Sequence, residues 1–151
     1  MNPLNLPAYP FKIVRKETGS LIFDHFRKTY VALTPEEWVR QHFLMWLVTS
    51  FSYPAGLIAV ETSLKYNRLQ KRADAVVYDK KGVPVALIEC KAPSIAITQS
   101  TLEQAARYNY AFKTRFLLLT NGVDHFCCKI DLANQKLQFL EKIPTYEELS
   151  N

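Results

Sequence analysis

Two short runs of the chain are apolar at every position, residues 85–88 and residues 116–119. A strand with one face in water alternates apolar and polar residues, so unbroken runs of this length are typical of strands inside a sheet covered on both faces. Between them, residues 99–112 have helical spacing and helix-forming composition. The sequence therefore predicts an α/β fold built on a buried sheet.

The other elements follow from local signals. Thr34-Pro35-Glu36-Glu37 is a strong helix start, and we expect that helix to run to about residue 49. Predicted strands cover residues 57–65, 73–78, 84–90, 116–120, 123–130 and 137–140, and a hairpin is expected near residues 11–25. The prediction is an αβββαβ core with a mixed central sheet flanked by helices. An extra N-terminal hairpin and C-terminal strands complete one domain over residues 1–151, with its core at about 30–130.

Composition excludes several classes of protein. The longest apolar run, residues 43–48, is far short of the ~20 residues that a membrane span needs, and no secretion signal is visible at the N-terminus. Three cysteines form neither an even disulfide framework nor zinc-binding pairs, which favours a reduced, cytoplasmic protein. Neither phosphate-binding glycine motif occurs, so ATP is not expected as a ligand. The net charge of +5 permits a polyanionic partner without requiring one.

Charged residues lie at the ends of the apolar runs of two neighbouring predicted strands. Asp74 opens an apolar run, and Glu89 and Lys91 end another, projecting to the same side because they are two apart. If Asp79 pairs with Pro84 across the hairpin, then Asp74 falls opposite Glu89. The two carboxylates would then share one face, with Cβ atoms roughly 4.5–5.5 Å apart.

Carboxylates this close repel each other, and a divalent cation removes the conflict. Hard oxygen ligands suit Mg²⁺ or Mn²⁺, so Asp74, Glu89 and the backbone carbonyl of Cys90 are candidate metal ligands. Lys91 can orient or deprotonate a metal-bound water, or neutralise charge on a phosphate. The alternative is an ordinary strand-end salt bridge. Charges inserted in core strands are costly unless paired or ligated, which favours the metal site.

This pattern resembles a known family. Asp74…Glu89-Cys90-Lys91 is similar to the PD-(D/E)xK nuclease signature, with Ala73 in place of proline. More narrowly, the chain resembles the N-terminal nuclease domain of type I restriction enzyme R subunits, in segments 35–40, 71–79, 88–93, 103–109 and 119–122. The resemblance implies that Asp74 and Glu89 are metal ligands and that Lys91 is catalytic. It also implies that Gln104 and Tyr108 form the QxxxY element of that family.

Two helices offer further site residues. Gln104 and Tyr108 are four apart on one helix face, where they could hold Lys91 or a phosphate, or form a surface pair with Tyr108 in the core. An acid on the first helix often completes such sites. Glu36 lies on the edge of the buried face and is preferred, while Glu37 points away and suits a capping role. Both could instead serve only the helix N-terminus.

A basic run precedes Asp74 and could follow DNA phosphates beside the site, although such runs are also common in solvated loops. Its residues are Lys65, Arg68, Lys71 and Arg72. Together these features predict a Mg²⁺- or Mn²⁺-dependent deoxyribonuclease without a motor, acting on DNA. The alternatives are a non-cleaving nucleic-acid-binding or protein-interaction module that keeps the nuclease fold, and a domain active only with a partner subunit. A homodimer is also allowed.

Overall fold

In the computed structural model, residues 3–66 and 69–150 are described, residues 62–66 and 69–72 by their backbone alone. The strands are β1 (Ile13–Lys16), β2 (Gly19–Asp24), β3 (Thr29–Ala32), β4 (Ile58–Tyr66), β5 (Leu69–Tyr78), β6 (Pro84–Cys90), β7 (Phe116–Thr120), β8 (His125–Asp131) and β9 (Lys136–Leu140). The helices are α1 (Pro35–Phe51), α2 (Gln99–Phe112) and α3 (Tyr146–Ser150), with a 3₁₀ turn at Ala55–Leu57.

The central sheet has six strands in the order β4-β5-β6-β7-β8-β9. Among the described strands of this sheet, only the β6–β7 pair is parallel, because α2 makes the crossover between these two strands. Neighbouring residues of one strand face opposite layers: Ile88 and Leu118 pack in the cluster with α1, whereas Leu87 and Leu117 pack in the cluster with α2. The predicted mixed sheet flanked by helices is confirmed.

Local signals place both long helices. Thr34 caps α1 by accepting a hydrogen bond from the Glu37 N–H at 3.0 Å, and Pro35 occupies the first helical position. Thr98 caps α2 in the same way and exchanges a second hydrogen bond with Thr101. The predicted bounds of α2, β6 and β7 agree with the structure, while α1 extends two residues past its expected end at Thr49.

The structure adds elements that the sequence reading lacked. The N-terminal hairpin gains a third strand, β3, which pairs with β2 to form a separate antiparallel sheet. A last short helix, α3, packs Leu149 into the α1-side core. The assumed pairing of Asp79 with Pro84 is wrong, because Tyr78 pairs with Pro84 and a bulge follows Val77. Among the described residues, no helix is long and apolar enough to cross a membrane.

A buried aspartate closes the turn between β2 and β3. Asp24 accepts hydrogen bonds from the backbone N–H groups of Phe26 at 2.7 Å and Arg27 at 3.1 Å, and pairs with the Arg27 side chain. Burial raises the pKa of Asp24, but the hydrogen bonds from Arg27 and Phe26 outweigh burial and leave this pKa below its ordinary value of 3.8. Asp24 therefore contributes to folding as an anion.

We expect Asp24→Asn to lower the free energy of unfolding at neutral pH by about 1–3 kcal/mol, because a buried charged acceptor is lost. Since the pKa of Asp24 is lower in the folded state, its contribution is full above pH 3.8 and is lost as the pH falls through the folded value. Urea unfolding at several pH values measures this. The gap between wild type and variant should close in acid, and a gap independent of pH would contradict the assignment.

Candidate active site

The central geometry lies where β5 and β6 run side by side. Ala75 pairs with Ile88, so the next position sets Asp74 opposite Glu89, as the sequence predicted. The Cys90 N–H donates to Asp74 Oδ2 at 2.7 Å, and the Asp74 carboxyl is close enough to raise the pKa of Glu89. The two acids are therefore brought together by adjoining strands.

The regular alternation of β5 changes at Asp74. Ala73 packs in the α2-side cluster, whereas Ala75, two residues later, packs in the α1-side cluster. On the other side of β5, Glu61 stands opposite Asp74 with a backbone φ of 54°, in the left-handed region that side chains rarely adopt. This local irregularity lets Asp74 meet both Glu89 on β6 and Arg40 on α1.

Glu89 is the less accessible of the two acids. Burial and the neighbouring carboxyl of Asp74 raise the pKa of Glu89 to about 9. Its Oε1 atom is buried and, in the described part of the chain, has no hydrogen-bond partner. A buried oxygen beside a second carboxylate is a donor set that suits a hard divalent cation, which would satisfy both charges.

The α2 side of this pair is tight. Glu89, Lys91, Gln104 and Tyr108 line one cavity of about 20 Å³, together with Thr101 and Ala105. This space holds about one water molecule and is too small for a phosphate. The structure therefore brings four predicted site residues together, and it adds Thr101, one turn before Gln104 on the same helix face.

Two arginines connect this site to the rest of the molecule. Arg40 donates to Glu37 through its Nε at 3.0 Å and approaches Asp74 Oδ1 with its Nη1 at 3.5 Å. Arg27 contacts Glu37 at 2.8 Å and Glu61 at 2.9 Å, and it also pairs with Asp24. Burial opposes the charge on Arg40, but Glu37 and Asp74 hold its pKa above the ordinary value.

The first helix contributes one acid to the site and one to this network. Glu36 is exposed at the rim, and partial desolvation followed by the charge of Asp74 raises its pKa, whereas Arg40 and Lys91 lower it. The expectation that Glu37 points away is wrong: it is buried and accepts hydrogen bonds from Arg27, Arg40 and Gln41. The preference for Glu36 beside the site agrees with this arrangement, and its role stays a prediction.

An open cleft lies on the α1 side. It has a volume of about 550 Å³, and its lining is Arg27, Val31, Ala32, Thr34, Pro35, Glu36, Glu37, Arg40, Glu61 and Ala92. We call this space the entrance cleft, because Glu36 and Ala92 place it next to Lys91. It is large enough to admit a phosphodiester, and Arg40, which approaches Asp74, forms part of its wall.

The turn after β7 fixes the chain that follows Lys91. The Lys91 N–H donates to the Thr120 carbonyl at 2.8 Å, and the Asn121 side chain donates to the Ile95 carbonyl at 2.8 Å. Gly122 has a φ of +86°, a conformation that favours glycine, and an added Cβ would lie 2.7 Å from Leu4 Cδ2 and 3.0 Å from Val39 Cγ2. The end of β7 thus holds the chain on both sides of residues 92–94.

Some predicted site residues remain without a structural outcome. Arg68 lies outside the described residues, and so do the side chains of Lys65, Lys71 and Arg72. The Cys90 thiol is buried in the α1-side core, and the ligand role of its carbonyl stays a prediction. Among the described side chains, no group of three or more histidine, cysteine, aspartate or glutamate residues could hold a metal ion.

The sequence reading also missed functional candidates. Arg40 was visible as a charged residue between the apolar positions Val39 and Phe43, a placement that burial makes costly without a partner. Arg27 and Glu61 gave no such signal, because Arg27 contacts Glu37 and Glu61, which lie 10 and 34 residues away in the sequence. Asp24 pairs with Arg27 only three residues later.

Comparisons with known proteins agree with this architecture. A fragment described as an HsdR subunit of a type I restriction enzyme from Vibrio vulnificus YJ016 has a similar fold, with a TM-score of 0.58 and 22% identity. The match covers 78% of this chain and 25% of that chain, so this chain spans about a quarter of that structure. The mixed α/β architecture with its αβββαβ core is thus similar to the fold of that fragment.

The family follows from the sequence match. The model of the type I restriction enzyme R protein N terminus (HSDR_N) matches residues 35–144. The chain belongs to this family, as its motifs predicted. No curated protein matches the chain.

We expect Glu89→Gln to stabilise the protein in the absence of divalent cations. The neutral amide keeps the shape of the side chain, and it removes the cost of protonating on folding an acid whose pKa is raised to about 9. In buffer with EDTA, thermal unfolding should show a gain of about 1–2 kcal/mol for this variant. Glu103→Gln, on the exposed face of α2, is the matched control and should leave stability unchanged. A loss of stability in Glu89→Gln would contradict the described pair.

Proposed function

We propose that this chain is a metal-dependent deoxyribonuclease, the nuclease module of a type I restriction R subunit. The observation that supports this most is the meeting of Asp74 and Glu89 on adjoining strands, with Lys91 two residues beyond Glu89. Membership of the R protein N-terminal family supports the same assignment. The substrate would be the phosphodiester backbone of DNA, and the module would act within a restriction complex.

Asp74 and Glu89 are the residues that would hold Mg²⁺ or Mn²⁺, with the Cys90 carbonyl as a further ligand. Mg²⁺ commonly uses one or two carboxylates and fills its remaining positions with water and substrate phosphate oxygens, so two acids suffice. When bound, the cation would supply Lewis-acid stabilisation of the phosphate charge and an activated water. Mn²⁺ has similar ligand preferences and offers a convenient probe of the site.

The chain's own residues would orient the reacting groups. The Lys91 ammonium would stabilise negative charge on the attacked phosphate, or orient the attacking water. Glu36, at the rim of the entrance cleft, would accept a hydrogen bond from a water on that side. Gln104 and Tyr108 lie beside Lys91 in the small cavity, where they would hold its side chain or a phosphate oxygen. The DNA would approach through the entrance cleft.

A second candidate is a non-cleaving binding module that keeps the fold. The tight cavity of about 20 Å³ beside Glu89 and Lys91 favours it, because no phosphate fits there without movement. A requirement for a partner subunit is a third arrangement, in which cleavage appears only after that subunit is added. Measuring cation binding separately from cleavage discriminates among these candidates.

We expect wild type to nick supercoiled plasmid DNA with Mn²⁺ or Mg²⁺ and to be inactive in EDTA. Lys91→Ala should lower the nicking rate by roughly 10²–10⁴-fold, since it removes charge stabilisation at the phosphate. By calorimetry, Lys91→Ala should still bind Mn²⁺, whereas Asp74→Asn should lose both binding and nicking. Lys129→Ala, an exposed lysine on β8, is the matched control and should behave like wild type.

Two results would overturn this function. One is plasmid nicking by Lys91→Ala at the wild-type rate. The other is Mn²⁺ binding that survives in Asp74→Asn, because the cation would then lie elsewhere. Mn²⁺ binding at Asp74 without cleavage, alone or with a partner subunit, would favour the non-cleaving module.

A further inference from the structure

The N-terminal sheet has one face that no other element covers fully. Lys12, Phe23 and Tyr30 form a row across its three strands, because Phe23 pairs with Tyr30 and its N–H donates to the Lys12 carbonyl. The next row contains Val14, Leu21 and Ala32, with Lys16 beyond them. We call these seven residues the outer face. The opposite face carries the buried residues Ile22 and Asp24.

Aromatic rings and ammonium groups are interleaved on the outer face. Tyr30 is 42% exposed and meets Phe23 edge-on, with ring centroids 5.2 Å apart. The Lys12 Nζ lies over the Phe23 ring at 6.0 Å from its centroid. Proteins that bind single-stranded nucleic acid combine aromatic rings, on which bases stack, with cations that contact the phosphates. A duplex keeps its bases stacked internally and gains little from an exposed ring.

The charge of this part of the chain is complementary to such a ligand. Between residues 12 and 28, five lysines and arginines face two acids, which accounts for three of the five net positive charges of the chain. One of the two acids, Asp24, is buried against Arg27, so it does not oppose a ligand at the surface. Glu17 is the acid that remains exposed.

The outer face is continuous with the entrance cleft. Ala32 belongs to the outer face and also lines that cleft, together with Glu36 and Ala92. Tyr30 lies two residues before Ala32 on the same strand, about 7 Å away, which is comparable to the step between neighbouring nucleotides. A strand stacked on Tyr30 would therefore lead into the cleft beside the acidic pair.

We propose that the outer face binds single-stranded DNA, stacking bases on Tyr30 and Phe23 and pairing phosphates with Lys12 and Lys16. Through this face, the protein would engage an unpaired strand next to the phosphodiester that enters the cleft. The inference rests on the proposed nuclease function for its substrate, although the binding step itself needs no cation and no cleavage.

The test is fluorescence anisotropy with a labelled oligothymidylate of about 16 nucleotides, the upper end of the site size for such surfaces. All measurements are made in EDTA, so that cleavage plays no part. Tyr30→Ala should weaken binding by about 5- to 100-fold, and Tyr30→Phe, which keeps the ring, should bind like wild type. Lys12→Ala should reduce the slope of log affinity against log salt by about 0.7, the value for one phosphate contact.

Matched controls lie on the far edge of the central sheet. Phe139 is 52% exposed on β9, and Lys136 is exposed on the same strand, so Phe139→Ala and Lys136→Ala make similar changes away from the outer face. Both should bind oligothymidylate like wild type. Circular dichroism and thermal unfolding confirm that each variant is folded.

The inference is overturned if Tyr30→Ala and Phe139→Ala bind equally well, if wild type shows no binding, or if a hairpin duplex binds as tightly as the single strand. These outcomes are separate from those of the nuclease proposal. If oligothymidylate binding depends on Tyr30 but no cation-dependent cleavage occurs, the binding surface is supported and the nuclease proposal is contradicted. If Tyr30→Ala changes neither nicking nor binding, the nuclease proposal stands and the binding surface is contradicted.

Discussion

The site depends on two arginines, Arg27 and Arg40, which both bind the buried carboxylate of Glu37. Arg27 joins the turn after β2 to α1 and β4, and Arg40 joins α1 to β4 and β5. Both contact Glu37, which is buried, so removing either arginine takes one counter-charge away from a buried carboxylate. Two contacts therefore fix the position of Asp74. One is the hydrogen bond from the Cys90 N–H within the sheet, and the other is Arg40, which is linked through Glu37 to Arg27 beside the N-terminal sheet.

The central part of the fold could be predicted from the sequence because its signals are local. The bounds of β6 and β7 follow from unbroken apolar runs, and those of α2 follow from helical spacing with Thr98 as cap. The meeting of Asp74 and Glu89 was also predicted, but through a hairpin pairing that is wrong by one residue. The bulge between Val77 and Tyr78 shifts the pairing by one residue, so that Ala75 pairs with Ile88 as the assumed register required. Nothing in the sequence indicated this bulge.

The remaining features depend on contacts between distant parts of the chain. Glu37 occupies the position of a capping glutamate, and nothing near it in sequence reveals that Arg27, ten residues earlier, takes its carboxylate into a buried network. The contacts of Glu61 with Arg27 and of Asp74 with Arg40 likewise join residues that are 34 positions apart in the sequence. The strand β3 carries a β-favouring Thr-Tyr-Val run, but four residues give too short a pattern to separate it from a loop.

Register is what makes this small set of residues a site. The Cys90 N–H that binds Asp74 belongs to the same strand that carries Glu89 and Lys91, so one hydrogen bond holds the acid of β5 against the acid and the lysine of β6. A slip of one residue would send Glu89 to the α1-side core and bring the Cys90 thiol to the α2 side, with a carboxylate buried among apolar groups. The apolar faces of β6 oppose that slip, since Leu87 and Ile88 each fill a different core. The packing that stabilises the sheet therefore also keeps the acidic pair together, so the candidate site is preorganised by the core of the sheet itself.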